Sequence, residues 1–372
     1  MIPYEFEVKE LIRRSGILVE PHCVVDKSKP ESLSDCLSSI DPPYVVKAQV
    51  RGWGRAKAGL VKFVDSREEA ERAVLELMSR AFGGSSVRYV IVSERMNVQK
   101  ELYLSMMVDY TPPYLLLLAS RSGGIDVETQ ALASGVLKVR INPFEGVREY
   151  MARRVAKFLE LPVDETHRIL EGMYSAVWEY NLHLLELNPL ALTDDGIVAL
   201  DAKAIVDDDA LDLNPRLSEI RARYESELSL EENTARKMGF SLILLDGDIA
   251  VIGNGAGLTM ATMDAVAALG GRPGVFLDLG GGASAERVKT ALMLVLSRAN
   301  IKRVIVNILG GITRCDEVAR GAVDALRESG RGDVKVVFRL SGFMEDEGRK
   351  ILEEQGIRAF RDFEEAVRQV VE

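Results

Sequence analysis

The stretch RVIVNILGGITRCD, residues 303–316, decides the fold. Its first half, 304–309, is a short run of β-branched and apolar residues with Asn307 as its one polar member, the pattern of a strand buried on both faces. Gly310 and Gly311 break the run, and the pattern beyond Thr313 is helical. Thr313 and Asp316 stand at the spacing of a helix-capping box. A buried strand that feeds a glycine turn and a helix start is a candidate anion site, because unpaired N–H groups and the helix dipole point outward there. The stretch carries no His, no Ser–His pair and no carboxylate dyad, so a chemical partner has to come from elsewhere.

Outward from this stretch the same pattern repeats. Strands are expected at 249–253, 274–279, 303–308, 334–340 and 357–360. They alternate with helices near 258–269, 285–299, 316–329, 344–354 and 362–371. This describes a five-stranded, parallel, doubly wound α/β unit with helices on both faces. Its strand ends read IGNGAGL (252–258), LDLGGGAS (277–284), NILGGITR (307–314) and RLSGFME (339–345). Glycine in one such loop needs no more than a tight turn. Four on one edge point to a ligand crevice, since the fold converges them there. Gly253, Gly255 and Gly257 do not form G-x-G-x-x-G, and no acidic residue ends a suitable second strand, which argues against a dinucleotide.

The N-terminal part differs. A helix is expected over 4–15, and a strand over 44–50, YVVKAQV, with Lys47 in its middle. RGWGRAKAGL (51–60) follows, then a returning strand at 61–64, a helix over 66–80 opened by Ser66, and strands at 87–93, 101–109 and 114–119. Helices are expected at 145–159 and 164–186. LELNPL (185–190), a D-D-G turn and IVALDAK (197–203) then make a hairpin. Residues 207–232 are acidic and irregular, and a domain boundary is placed near 226. A lysine inside an apolar strand is costly unless it meets a counter-charge. Beside a glycine-rich loop it suggests a polyphosphate clamp, against the alternative of a snorkelling lysine on an edge strand. No Walker A motif is present. Asn188 and Asp201 flank the hairpin as hard oxygen donors of the kind Mg²⁺ takes together with phosphate and water. The alternative is an Asn-Pro turn and a strand-end aspartate.

Composition narrows the class. A length of 372 residues suggests two or three domains. The net charge of −10 disfavours nonspecific nucleic-acid binding. No apolar run approaches the ~20 residues that span a bilayer, and the acidic start MIPYEFEVKE is no signal peptide. Cys23, Cys36 and Cys315 show no C-x-x-C spacing, which fits a reducing cytoplasm and argues against a disulfide framework or zinc site. His22, His167 and His183 form no metal or triad spacing.

Taken in order, VVKAQV-RGWGRAKAG, ELYLSMMVD, LELNPLALTDDGIVALDAK, NGAGLTMATMD, FLDLGGGA and VNILGGITRCD resemble the β subunits of succinyl-CoA synthetase, the ADP- or GDP-forming succinate–CoA ligases. The resemblance runs from the first helix to the last. It implies an ATP-grasp fold in two subdomains over 1–226, then a flavodoxin-like, doubly wound parallel-sheet CoA-ligase domain over 227–372. It further implies that Lys47 and the Gly54-Arg55-Ala56 loop hold nucleotide phosphates, that Glu94 and Asn97 lie at the adenine end, and that Glu101 binds the ribose. Asn188 and Asp201 would hold Mg²⁺, and Glu186 would meet a mobile histidine loop. Asn254 and Gly311-Ile312-Thr313 would form part of the succinate and phosphate site.

The implied reaction is succinyl-CoA + phosphate + NDP ⇌ succinate + CoA + NTP, with ADP/ATP or GDP/GTP as the nucleotide pair. The phosphohistidine and most of the CoA site belong to an α-subunit partner, in keeping with the lack of a histidine near any glycine loop here. Neither nucleic acid nor membrane is expected as a partner. The chain departs from the family's pattern at Trp53 and Ala56, where the loop is usually glycine, at Leu60, and by one residue fewer between Glu94 and Glu101. Another acyl-CoA ligase on this scaffold, such as malate–CoA ligase or a split citrate-cleaving relative, would carry the same loops. A non-catalytic nucleotide-binding regulatory module would show a defect at Lys47, Asn188 or Asp201, and none is present.

Overall fold

The computed structural model describes residues 1–29, 31–51, 58–82, 85–110, 113–124 and 135–372. They fall into two compact units, Met1–Tyr224 and Glu225–Glu372.

The first unit holds two larger sheets. Its opening helix α1 (Glu5–Arg14) carries Glu5 and Glu7 in its first turn and Arg13 and Arg14 in its last, which suits the helix dipole. Then come β1 (His22–Asp26), α2 (Glu31–Ser39), β2 (Tyr44–Gln49), β3 (Val61–Val64), α3 (Arg67–Met78), the short strands β4 (Ala81–Phe82) and β5 (Ser85–Ser86), and β6 (Tyr89–Glu94). Ser66 caps α3 by accepting the Glu69 N–H. The strands order as β1-β6-β2-β3, all antiparallel. β2 is therefore interior and buried throughout, so Lys47 is not an edge-strand lysine.

The second sheet of this unit uses β7 (Val98–Tyr110), β8 (Pro113–Ser120), β9 (Leu137–Ile141), β10 (Leu182–Thr193), β11 (Gly196–Ala199) and β12 (Ala202–Val206). It orders as β11-β10-β7-β8-β9, with β12 also on β10. Helices α4 (Glu149–Leu159) and α5 (Val163–Glu179) pack on it. The expected helix over 164–186 is too long. It stops at Glu179, Asn181 takes a left-handed φ of 50°, and residues from Leu182 pair with β7 and β12. A continuous apolar run does not distinguish the end of a buried helix from a buried strand; here strand pairing decided.

A correction concerns the cysteines. Cys23 on β1 and Cys36 on α2 are joined in a disulfide, with Cα atoms 5.4 Å apart, while Cys315 is free and buried. Sequence spacing says nothing about two cysteines that tertiary packing places face to face.

Helix α6 (Ser218–Glu227) spans the division between the units. The second unit continues with α7 (Leu230–Lys237), β13 (Ser241–Leu244), β14 (Ile249–Gly253), α8 (Ala256–Ala268), β15 (Pro273–Asp278), α9 (Ala285–Leu296), β16 (Arg303–Gly310), α10 (Cys315–Ser329), β17 (Lys335–Gly342), α11 (Glu345–Glu353), β18 (Ala359–Phe360) and α12 (Phe363–Val371). The sheet order is β13-β15-β14-β16-β17-β18. It has six strands rather than five. β13 joins antiparallel to β15 at the edge, and its half-exposed residues lie outside the βα alternation that was read. The parallel strands β14 to β18 take the flavodoxin-like order 2-1-3-4-5, with the switch point between β14 and β16. Along β16, Val304, Val306 and Ile308 pack toward α9 and α10, while Ile305 packs toward α8 and α12. Burial on both faces explains why 304–309 shows no polar alternation.

Candidate functional site

In the first unit the site is built around Lys47. Its ammonium donates to Glu5 Oε1 at 3.0 Å, to Glu20 Oε1 at 3.3 Å and to the Leu200 carbonyl at 2.5 Å. Burial alone would lower its pKa, but Glu5, Glu20 and Asp201 outweigh burial and hold it above the ordinary lysine value. The lysine stays charged across the physiological range. Through Leu200 it joins β2 of one sheet to the junction of β11 and β12 in the other.

Asn188 and Asp201 meet at that junction. The Asn188 N–H donates to the Asp201 carbonyl at 3.0 Å, and the Gly124 N–H donates to Asn188 Oδ1 at 2.7 Å. The Asn188 amide and the Tyr103 hydroxyl each approach a different oxygen of Glu186 at 3.5 Å. Burial pushes the Glu186 carboxyl above its ordinary value, and the negative charge of Asp201 adds to this, against Lys203, Asn188 and Tyr103. Lys47, Glu186, Asn188 and Asp201 therefore come together. Among the described residues no three His, Cys, Asp or Glu side chains form a metal cluster.

The remaining residues of this half are spread over the end of β6, the link to β7 and β7 itself. Glu94 ends β6 opposite Tyr44, and its N–H donates to the Pro21 carbonyl at 3.0 Å. The exposed Asn97 donates to Asp194 at 2.9 Å, at the β10–β11 turn, where Gln99 also donates at 2.7 Å. Glu101 is exposed on β7 opposite Ala191, and its carbonyl accepts the Gly123 N–H at 3.2 Å. Gly54, Arg55 and Ala56, with Trp53 and Lys57, lie outside the described residues.

Sequence reasoning missed the charges behind Lys47. Glu5 and Lys9 are buried, as is Glu20. A signal existed: Glu5 and Lys9 are spaced i, i+4 and share a helix face with the apolar Val8 and Ile12.

In the second unit Asn254, just after β14, bridges the loops. Its Nδ2 donates to the Leu309 carbonyl at 3.0 Å and to Thr313 Oγ1 at 3.3 Å, while Oδ1 accepts the Leu309 N–H at 2.9 Å. Thr313 Oγ1 also accepts the Gly282 N–H at 3.2 Å. The loops after β14, β15 and β16 thus converge at the switch point. Asn254 and Thr313 lie in direct contact, Gly311 sits in the loop between them, and Ile312 is 87% exposed.

The capping expectation is corrected here. α10 starts at Cys315, with Arg314 at the capping position and no side-chain cap. Thr313 lies one residue too early, and its hydroxyl is engaged by Asn254 and Gly282. The Cys315 N–H donates to the Phe343 carbonyl at 3.1 Å, so part of the supposed anion cradle is closed by backbone. Asp316 instead accepts both Arg314 Nε and Nη2 at 3.0 Å, and also Arg320.

These contacts carry a pH signature. The hydrogen bonds from Arg314 come first, and together with Arg320 they hold the Asp316 carboxyl below its ordinary 3.8 against burial. A depressed carboxylate stabilises the fold above its unfolded pKa, and the gain is lost as pH falls through the folded value. Asp316→Asn is expected to be about 1–2 kcal/mol less stable than the parent near neutral pH, a modest figure because both arginines are half-exposed and screened. The gap should close in strong acid. Urea midpoints of both proteins across acid and neutral pH check this; a gap of constant size overturns it.

Comparison with known proteins follows the same division. A family model for the ATP-grasp domain matches residues 3–192, and one for CoA-ligase matches residues 252–371. The protein is thus of the class in which an ATP-grasp domain is followed by a CoA-ligase domain. Over 99% of its length the chain is 43% identical to the succinate–CoA ligase [ADP-forming] subunit beta of Staphylothermus marinus, covering 97% of that relative. It is 42% identical to the protein of that name from Ignicoccus hospitalis (99% and 97% covered), and 39% to that of Methanocaldococcus jannaschii (99% of each). The chain belongs to the succinate–CoA ligase β-subunit family and is a ligase subunit. The relatives' names support the succinate reading rather than the malate alternative. Its fold is shared with ATP citrate lyase from Methanothrix soehngenii, at a TM-score of 0.74 and 18% identity over 96% of this chain and 95% of that one. Among the described residues no helix is long and apolar enough to cross a membrane.

Proposed function

We propose that this chain is the nucleotide-binding subunit of a cytoplasmic, ADP-forming succinate–CoA ligase, catalysing succinyl-CoA + phosphate + ADP ⇌ succinate + CoA + ATP with an α-subunit partner. The observation that carries the reading is the contact of a permanently charged Lys47 with the Leu200 carbonyl, beside Asp201 and Asn188. Residues 1–226 form the nucleotide half and 227–372 the CoA-ligase half.

In the nucleotide half Lys47 and the Gly54-Arg55-Ala56 loop hold the phosphates, Glu94 and Asn97 face the adenine, and Glu101 the ribose. Asn188 and Asp201 fit Mg²⁺. They are hard oxygen donors, Asp201 lies close enough to oppose ionisation of Glu186, and Mg²⁺ is usually held by one or two protein oxygens with phosphate and water. Bound there, the ion would supply neutralisation of phosphate charge. Glu186 meets the histidine segment that the α subunit brings. In the other half Asn254, Gly311, Ile312 and Thr313 form this chain's share of the succinate and phosphate site. Phosphoryl transfer asks for positioning and charge more than for a nucleophile, so a chain without a phosphorylatable histidine can be half of an enzyme.

The test is to purify the chain with its α partner and follow phosphoryl transfer from phospho-α to ADP. Asp201→Asn is expected to slow transfer by about 10²-fold, with a raised Mg²⁺ requirement. Full transfer by this variant would remove Asp201 from the ion's site.

A further inference from the structure

Four buried charged side chains form a closed ring behind the phosphate site. Lys9 sits between Glu5 Oε1, at 2.6 Å, and Glu20 Oε1. Lys47 sits between the same two oxygens, at 3.0 and 3.3 Å. Two carboxylates thus share two ammonium groups. Lys9 is 0% exposed, so it cannot leave for solvent, whereas Lys47 lies at the ring's edge toward Leu200.

An ammonium has three N–H groups. Those of Lys47 are all spent, on Glu5, Glu20 and the Leu200 carbonyl. To donate to a phosphate oxygen it has to release one of them. The Glu20 contact is the longest of the three. Glu20 also keeps a second partner in Lys9, and its Oε2 is buried without a hydrogen bond, so no other donor ties it to the Lys47 side. Glu5 is held from its far oxygen by the Gln49 amide at 3.3 Å.

We propose that Glu20 is the contact Lys47 gives up when nucleotide phosphate arrives, and that Lys9 is the fixed counter-charge that permits the exchange. With Lys9 in place, release of this contact leaves Glu20 still paired with Lys9. Without Lys9, the same release leaves Glu20 a buried carboxylate with no cation, which is strongly unfavourable. Lys47 would then be trapped. Lys9 and Glu20 are positioning residues that act on nucleotide affinity through Lys47. The proposal rests on the reading of Lys47 as a phosphate ligand.

The experiment titrates ADP with magnesium chloride into the complex of the full chain and its α partner by calorimetry, alongside steady-state kinetics. Lys9→Met should weaken ADP binding about tenfold or more, a cost of the kind left by breaking a buried pair. KM for succinate and CoA should not move. Glu20→Gln, which removes one competitor of the phosphate, should bind ADP at least as tightly as the parent. The double variant should return to within about threefold of parental affinity, a coupling that damage to packing does not produce. A double variant weaker than Lys9→Met, or a Glu20→Gln that loses ADP affinity about tenfold, overturns the exchange. If Lys9→Met does not fold, Glu20→Gln alone decides by the same criterion. Lys47→Met separates the two levels: unchanged ADP affinity in that variant overturns the reading of Lys47 itself. Weakened affinity there, with Lys9→Met and Glu20→Gln both parental, overturns only the exchange.

Discussion

Lys47→Met is expected to lower ADP-dependent turnover by about 10²–10³-fold, the scale on which a preorganised charge at a transferring group acts. The lysine stands on an interior strand, buried, and charged at every working pH because three carboxylates outweigh its burial. A buried cation of this kind acts on an approaching phosphate with little solvent screening, whereas a surface lysine would be screened. Methionine keeps the length and bulk while removing the charge. Phosphorylation of the α partner from succinyl-CoA and phosphate should survive, because the Asn254–Thr313 end is untouched. Transfer from phospho-α to ADP should not. Measuring the two half-reactions separately checks both statements, and parental transfer to ADP would remove Lys47 from the phosphate site.

Gly342→Ala should destabilise the second unit by about 2–4 kcal/mol, among the largest single-residue effects on its stability. Gly342 ends β17 with φ 114°, where L side chains are strained. An added Cβ would lie 2.1 Å from the Gly310 carbonyl oxygen and 2.7 Å from its carbon. Both atoms are backbone, so no side-chain rotation relieves the clash. The same contact fixes the site: the Phe343 N–H donates to the Gly310 carbonyl at 2.9 Å, one residue before Gly311. Gly281→Ala is the control, because its Cβ would meet nothing within 4 Å, and it should stay within about 0.5 kcal/mol of the parent. Urea denaturation followed by far-UV circular dichroism reads both; equal midpoints for Gly342→Ala and the parent overturn the argument.

Much of the second unit was legible because its strands are buried on both faces. Residues 304–309 carry no polar alternation, and the glycines that follow mark the strand end. β13 escaped notice because it is short, half-exposed and outside the βα rhythm. In the first unit, residues 182–186 read as helix because an apolar run reports burial and not backbone hydrogen bonding; pairing of Leu184 with Met107 and Leu185 with Met106 made them strand. Lys47 stood out as a charge in an apolar strand. The identity of its counter-charges did not, since Glu5 and Glu20 lie 42 and 27 residues away in the chain.

Thr313 shows the same limit on a smaller scale. Its spacing to Asp316 matched a capping box, yet a hydroxyl takes whichever donors the fold presents, and here Asn254 and Gly282 arrive from two other loops. Local pattern determined where RVIVNILGGITRCD is strand, where it turns, and that helix follows, because hydrophobic periodicity and glycine act through the nearest few residues. The tertiary structure alone decided what meets its turn: Asn254 bridging Leu309 to Thr313, Phe343 closing the helix start, and arginines claiming Asp316. Hydrogen-bond partners and buried charge pairs are chosen between segments distant in sequence, and only the packed chain brings those segments within bonding reach.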